Sequence, residues 1–205
     1  KSENLMGHWT FDGNTEDSSD NQNHGNLISG EFVADREGTA SSALYLDGVD
    51  NHVIIPHSES LNPLDQLSIS VWLKIDEFSN IWSPIFQKGQ NIITGGKHRT
   101  YALWAGNNES FRFSSAGNNN VNKHYYLKIS KSEWFHYGVS LDRENQLCKV
   151  FRNGFLIESK KDDYSNFNNN NDDLTLGTSS ETTHSTISNF KGTIDELRLY
   201  NVALK

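Results

Sequence analysis

The sequence has 205 residues, with 26 acidic side chains against 18 basic ones, a formal net charge of −8 and 35% hydrophobic residues. No apolar run of about 18 residues is present, so nothing reads as a membrane span or insertion. The acidic balance disfavours nucleic acid, whose binders carry basic patches, and a single cysteine, Cys148, permits no internal disulfide.

Five Trp, seven Tyr and eleven Phe supply a core and argue against disorder. This content suits one all-β domain over residues 1–205 better than two small domains. The chain is strand-like by Gly7, as a trimmed secreted domain would be. Short runs then alternate apolar and polar residues, separated by Gly/Asn/Asp/Ser clusters. The clearest fall at 43–46, 52–55, 67–75, 100–104, 110–114, 134–141, 148–152, 174–176 and 192–200. Asp47-Gly48 and Asn153-Gly154 are turn pairs, since glycine accepts positive φ, and residues 151–156 read as a tight hairpin. About two dozen asparagines include two tracts, 118–120 and 168–171, the second followed by Asp172-Asp173. Such tracts cannot bury a face and read as loops. Many strands without crossover helices predict antiparallel sheets packed as a jelly-roll β-sandwich.

Strand parity divides the faces. Leu67, Ile69, Val71, Leu73 and Ile75 form one face of their strand, which must be core, leaving Ser68, Ser70, Trp72 and Lys74 opposite. Likewise Phe135, Tyr137, Val139 and Leu141 look inward, leaving Trp134, His136, Gly138 and Ser140 outward. Cys148 packs as a small hydrophobe.

Six blocks share an order and spacing with one family. They are Gly7-His8-Trp9-Thr10-Phe11-Asp12-Gly13, then Ala43-Leu44-Tyr45-Leu46-Asp47-Gly48, then Leu67-Ser68-Ile69-Ser70-Val71-Trp72-Leu73-Lys74. Next stand Trp134-Phe135-His136-Tyr137-Gly138-Val139 and Phe151-Arg152-Asn153-Gly154. The last is Gly192-Thr193-Ile194-Asp195-Glu196-Leu197-Arg198-Leu199-Tyr200. This set resembles the laminin-G-like domains of the concanavalin A-like lectin/glucanase superfamily, in its bacterial and secreted branch, over residues 5–205. The resemblance implies a two-sheet sandwich with a concave front and a convex back. Its members include lectins, adhesion modules and glycosidases, so fold alone does not assign function.

Glycoside hydrolysis needs two carboxylates about 5–5.5 Å or about 6.5–9.5 Å apart. The superfamily's enzymes resemble one another in a Glu-x-Asp-x-Glu strand, and none occurs here. Asp195-Glu196 are adjacent and expected on opposite faces, and Asp162-Asp163 lie in a polar turn. His124, Tyr125 and Tyr126 are a faint echo of the superfamily's lyases. There is neither a Gly-x-Ser-x-Gly elbow nor a His-Glu-x-x-His.

The ligand candidates are Trp72 and His136 on the outward face, with Trp104, Arg112 and Tyr126 as companions and Trp82 as a loop aromatic. Aromatic rings among hydroxyls and amides suit a sugar. The family resemblance equally implies an architectural role for Trp72 and Trp134, and a lone histidine more often serves structure. The resemblance also implies a structural calcium ion held by Asp12, the Gly48 carbonyl and Asp195; the alternative is that Asp195 caps amides or pairs with an arginine such as Arg198. The reading is a non-catalytic, secreted or cell-surface module of a larger protein, binding a glycan or glycoprotein. Its alternatives are a protein–protein adhesion module and a divergent hydrolase or lyase.

Overall fold

Period-two alternation resolves into two antiparallel sheets facing each other across one apolar layer. The computed structural model describes residues 4–79, 81–89, 99–106, 109–117, 122–162, 164, 166–179 and 188–205, with only the backbone described for 122–126. The first sheet contains β1 (Leu5–Trp9), β3 (Glu31–Val33), β4 (Ala43–Asp47), β6 (Gln66–Glu77), β11 (Trp134–Asp142), β12 (Leu147–Arg152), β13 (Phe155–Lys161) and β15 (Lys191–Tyr200). Their order is β13-β12-β11-β6-β15-β4-β3, with β1 beside the second half of β15. The second sheet contains β2 (Asn26–Ile28), β5 (His52–Ile55), β7 (Ser83–Lys88), β8 (Tyr101–Gly106), β9 (Ser110–Ala116), β10 (Asn122–Lys128) and β14 (Leu174–Leu176), in the order β10-β9-β8-β7-β14-β5-β2. The expected all-β sandwich is present.

The core forms as parity requires. Leu67, Ile69, Val71, Leu73 and Ile75 of β6 are all buried, as are Phe135, Tyr137, Val139 and Leu141 of β11 and Cys148 of β12. Phe111 of the second sheet meets Phe135 and Tyr137 of the first edge-on, with centroids 5.6 and 4.8 Å apart. Burying each such side chain contributes about 1.5–3 kcal/mol and locks the sheets face to face.

The 153–154 turn is also as expected. Asn153 (φ 50°) and Gly154 (φ 81°) both take positive φ, the two-residue hairpin geometry whose twist matches the strands. The Asn153 amide donates to the His136 carbonyl, and its Oδ1 accepts from the His136 amide, fastening the turn to β11. The tract at 168–173 is a loop, held by the ammonium of buried Lys88, which donates to the carbonyls of Asn170 (3.0 Å) and Asp172 (2.5 Å). The tract at 118–120 lies outside the described residues.

Candidate functional site

Cross-strand register aligns the outward residues of the first sheet in rows, because directly paired residues project to the same side. One row runs Leu156, Phe151, Gly138, Ser70, Arg198 and His8, from β13 across to β1. The next comprises His136, Trp72 and Asp195, and a third comprises Trp134, Lys74, Thr193 and Tyr45.

At the centre, His136 Nε2 lies 2.8 Å from Ser70 Oγ, and its ring meets Trp72 edge-on at 5.3 Å. Burial pushes the His136 pKa down, and the nearby Arg198 and Arg36 cations act in the same direction. The imidazole is therefore neutral near pH 7 and can offer both a donor and an acceptor. Arg36 reaches in from the loop between β3 and β4. Its guanidinium sits 4.6 Å from the Trp72 ring centroid and donates to Asp195 Oδ2 at 2.8 Å. Beyond it, Glu196 accepts from His8 Nε2 (2.8 Å) and from Arg198.

Beside this network lies a depression of about 270 Å³, walled by Phe151, His136, Ser70, Gly154 and Leu204, with Gly138 in its lining. The atoms nearest a methyl at Gly138 would be those of Phe151 and the Ile69 carbonyl, at ordinary contact distances, so the missing side chain helps to leave the floor open. The Leu204 wall is fixed by hydrogen bonds: Ser68 Oγ donates to the Val202 carbonyl, the Leu204 amide donates to Ser68 Oγ, and Ser140 Oγ donates to the Leu204 carbonyl. The site thus combines an aromatic wall, a neutral imidazole, a hydroxyl and a flanking guanidinium.

The six expected ligand residues do not share a face, which corrects that grouping. Trp72 and His136 face outward from the first sheet, whereas Trp82, Trp104 and Arg112 belong to the far side of the second. There Arg112 stacks on Trp82 at 4.0 Å and approaches Trp104 at 5.4 Å. Trp104 is only 1% exposed, donates to Ser114 Oγ and carries Arg99 at 4.5 Å, so it is consumed in packing. Tyr126 pairs with Arg112 by backbone register, and its side chain lies outside the described residues. Trp134 is half-buried, with the Lys74 ammonium 5.7 Å from its ring.

Two of the expected calcium residues, Gly48 and Asp195, lie apart on the first sheet. Asp47, next to Gly48, pairs with Lys191, four residues and about 13 Å along β15 from Asp195. Asp12 is exposed in a turn, where its carbonyl accepts from Asn14. Asp195 is satisfied by Arg36, not by Arg198. Its pKa is pushed up to about 6, chiefly by burial, with Glu196 and Asp35 adding to the rise and Arg36 opposing it. Among the described residues no three His, Cys, Asp or Glu side chains gather as metal ligands. Gly48 and Asp195 therefore lie too far apart to share one ion.

A second correction concerns Asp195-Glu196. The register slips between Asp195 and Arg198, and Glu196 takes φ 52°, a bulge that brings both carboxylates to the outer face. Strict alternation had separated them. Asp195 is 2% exposed and held by Arg36, while His8 and Arg198 hold Glu196, so each carboxylate serves an ion pair. Sequence reasoning missed Arg36 altogether, because its partners are distant in the chain and its loop carries no motif. Ser70 was visible only as an outward position, and Phe151 only as the start of the 151–156 hairpin.

A family model described as the concanavalin A-like lectin/glucanases superfamily matches residues 47–205, well over half the chain. The protein belongs to this family. No curated protein sequence matches it. Among solved structures, it is similar to domain 4 of AbnA, a GH43 extracellular arabinanase from Geobacillus stearothermophilus, in complex with arabinotriose. The identity is 25% and the TM-score 0.67, covering 98% of this chain and 94% of that domain. It is also similar to the binding domain of Paraclostridial Mosquitocidal Protein 1, with 15% identity, TM-score 0.77, and 98% and 50% coverage. A third is the binding domain of botulinum neurotoxin DC in complex with rat synaptotagmin II, with 16% identity, TM-score 0.73, and 98% and 49% coverage. The chain spans about half of these toxin binding domains, and at such identities the likeness shows the fold. The first of these structures is one domain of an arabinanase with a bound oligosaccharide, and the other two are binding domains of toxins.

Proposed function

We propose that the chain is a non-catalytic, extracellular glycan-recognition module of a larger protein, and that it binds its ligand in the Gly138 depression. The observation that carries this reading is the depression itself. A sugar presents an apolar ring face and a rim of hydroxyls, and here Phe151 offers apolar surface while Ser70 and His136 offer hydrogen-bonding groups. Arg36 and Trp72 form the adjoining rim. The arabinotriose complex of the similar arabinanase domain makes a neutral oligosaccharide the first probe.

The test is titration calorimetry with arabinotriose and with the strongest ligands from a glycan array, for the native chain and for Gly138→Val. Valine fills the depression from its floor without touching the ion pairs. Its expected effect is a loss of at least about tenfold in affinity, equivalent to about 1.4 kcal/mol, with little change in melting temperature. Equal affinity in both proteins would move the site elsewhere. Binding to a protein ligand but to no glycan would replace this reading with the adhesion one.

A further inference from the structure

The hairpin of β12 and β13 carries three consecutive apolar residues that the glycan site does not use. Phe155 is 74% exposed, Leu156 54% and Ile157 48%, immediately after the Asn153-Gly154 turn. Register gives them different directions. Leu156 pairs with Phe151, which lines the outer depression, whereas Phe155 pairs with Arg152, whose guanidinium lies 5.9 Å from the core ring of Phe135. Phe155 and Leu156 therefore project to opposite sides of the tip. Between residues 147 and 161, four basic residues (Lys149, Arg152, Lys160 and Lys161) accompany one acidic residue, Glu158, which pairs with Lys160 and leaves a net charge of about +3 on the hairpin. This is a positive patch on a chain whose net charge is −8.

We propose that this hairpin docks the domain on an anionic lipid bilayer, its apolar tip entering the interface and its basic residues meeting the headgroups. Two rigid alternatives fit less well. A second chain adding a strand to the β13 edge would meet the bulge at Ile157 and the lysines at 160 and 161, the devices that discourage edge pairing. A flat protein groove would bury one side of the tip and leave the other wet. A fluid interface surrounds both, and basic residues behind an apolar tip match the layering of headgroup and acyl chain. Such docking needs no spanning segment, and it stands independently of the glycan reading.

Sedimentation with vesicles tests it, using phosphatidylcholine alone and with about one third phosphatidylserine. The native chain is expected to sediment with the anionic vesicles only, and at least about tenfold less at about 500 mM salt than at about 50 mM. Phe155→Ser with Ile157→Ser, and separately Lys160→Glu with Lys161→Glu, should each reduce binding by about tenfold or more without altering the melting temperature. The proposal is overturned if the anionic vesicles bind nothing, or if the serine variant binds as the native chain does. It is also overturned if soluble polyglutamate displaces the protein from the vesicles while the serine variant still binds polyglutamate, which would identify an acidic polypeptide as the partner.

Discussion

Lys88 shows how a polar loop can be tied to a β-sandwich. It is fully buried, yet its ammonium donates to two loop carbonyls and lies 3.2 Å from His57 Nδ1. Burial lowers its pKa to about 8, against the pull of Asp172, Asp173 and Glu59. The folded chain therefore releases this proton before the unfolded chain does, and this group's contribution to stability rises with pH between about 8 and about 10.5. The increment is about 3 kcal/mol. Denaturation midpoints across this range should show the native protein gaining on Lys88→Met; a pH-independent difference would refute the assignment. The sequence marked 168–173 as a loop on propensity, but gave no sign that a lysine some eighty residues earlier would anchor it.

Strand β15 shows where alternation suffices and where it fails. Its inward residues Ile194, Leu197 and Leu199 are buried, and the hairpin at 153–154 follows from its Asn-Gly pair. The bulge at Glu196 has no such local signal, since glutamate is not a residue that prefers positive φ. It arises because β15 passes from pairing with β4 to pairing with β1, and it turns one more acidic side chain toward Arg198 and His8. Glycines in this sheet differ by surroundings. A methyl on Gly192 would lie 2.4 Å from the Lys74 carbonyl oxygen of the neighbouring strand, whereas one on Gly154 would meet nothing within 4 Å. Gly192→Ala is expected to cost about 3 kcal/mol through backbone displacement, and Gly154→Ala about 1 kcal/mol through its positive φ alone. Urea unfolding of the two variants checks the order; equal losses would contradict the packing of β15 against β6.

The sandwich as an assembly was legible because six motif blocks and a consistent period define strands and their inward faces. The site was legible only in part. Alternation says that Trp72 and His136 point away from the core, but it cannot say which sheet the strands of their companions Trp104 and Arg112 join, and that choice places the two pairs on opposite sides of the molecule. Nor can it supply contacts made by loops, such as Arg36 to Asp195 across 159 residues. The depression depends on both: a glycine in β11, a phenylalanine in β12, and a C-terminal segment pinned by Ser68 and Ser140.

The most direct test of glycan recognition on this face is an amide NMR titration with the strongest oligosaccharide from the array. The account predicts that perturbations centre on Ser70, Trp72, His136, Gly138 and Phe151. Perturbations centred instead on Trp82, Trp104 and Arg112, or an array with no bound glycan, would contradict it.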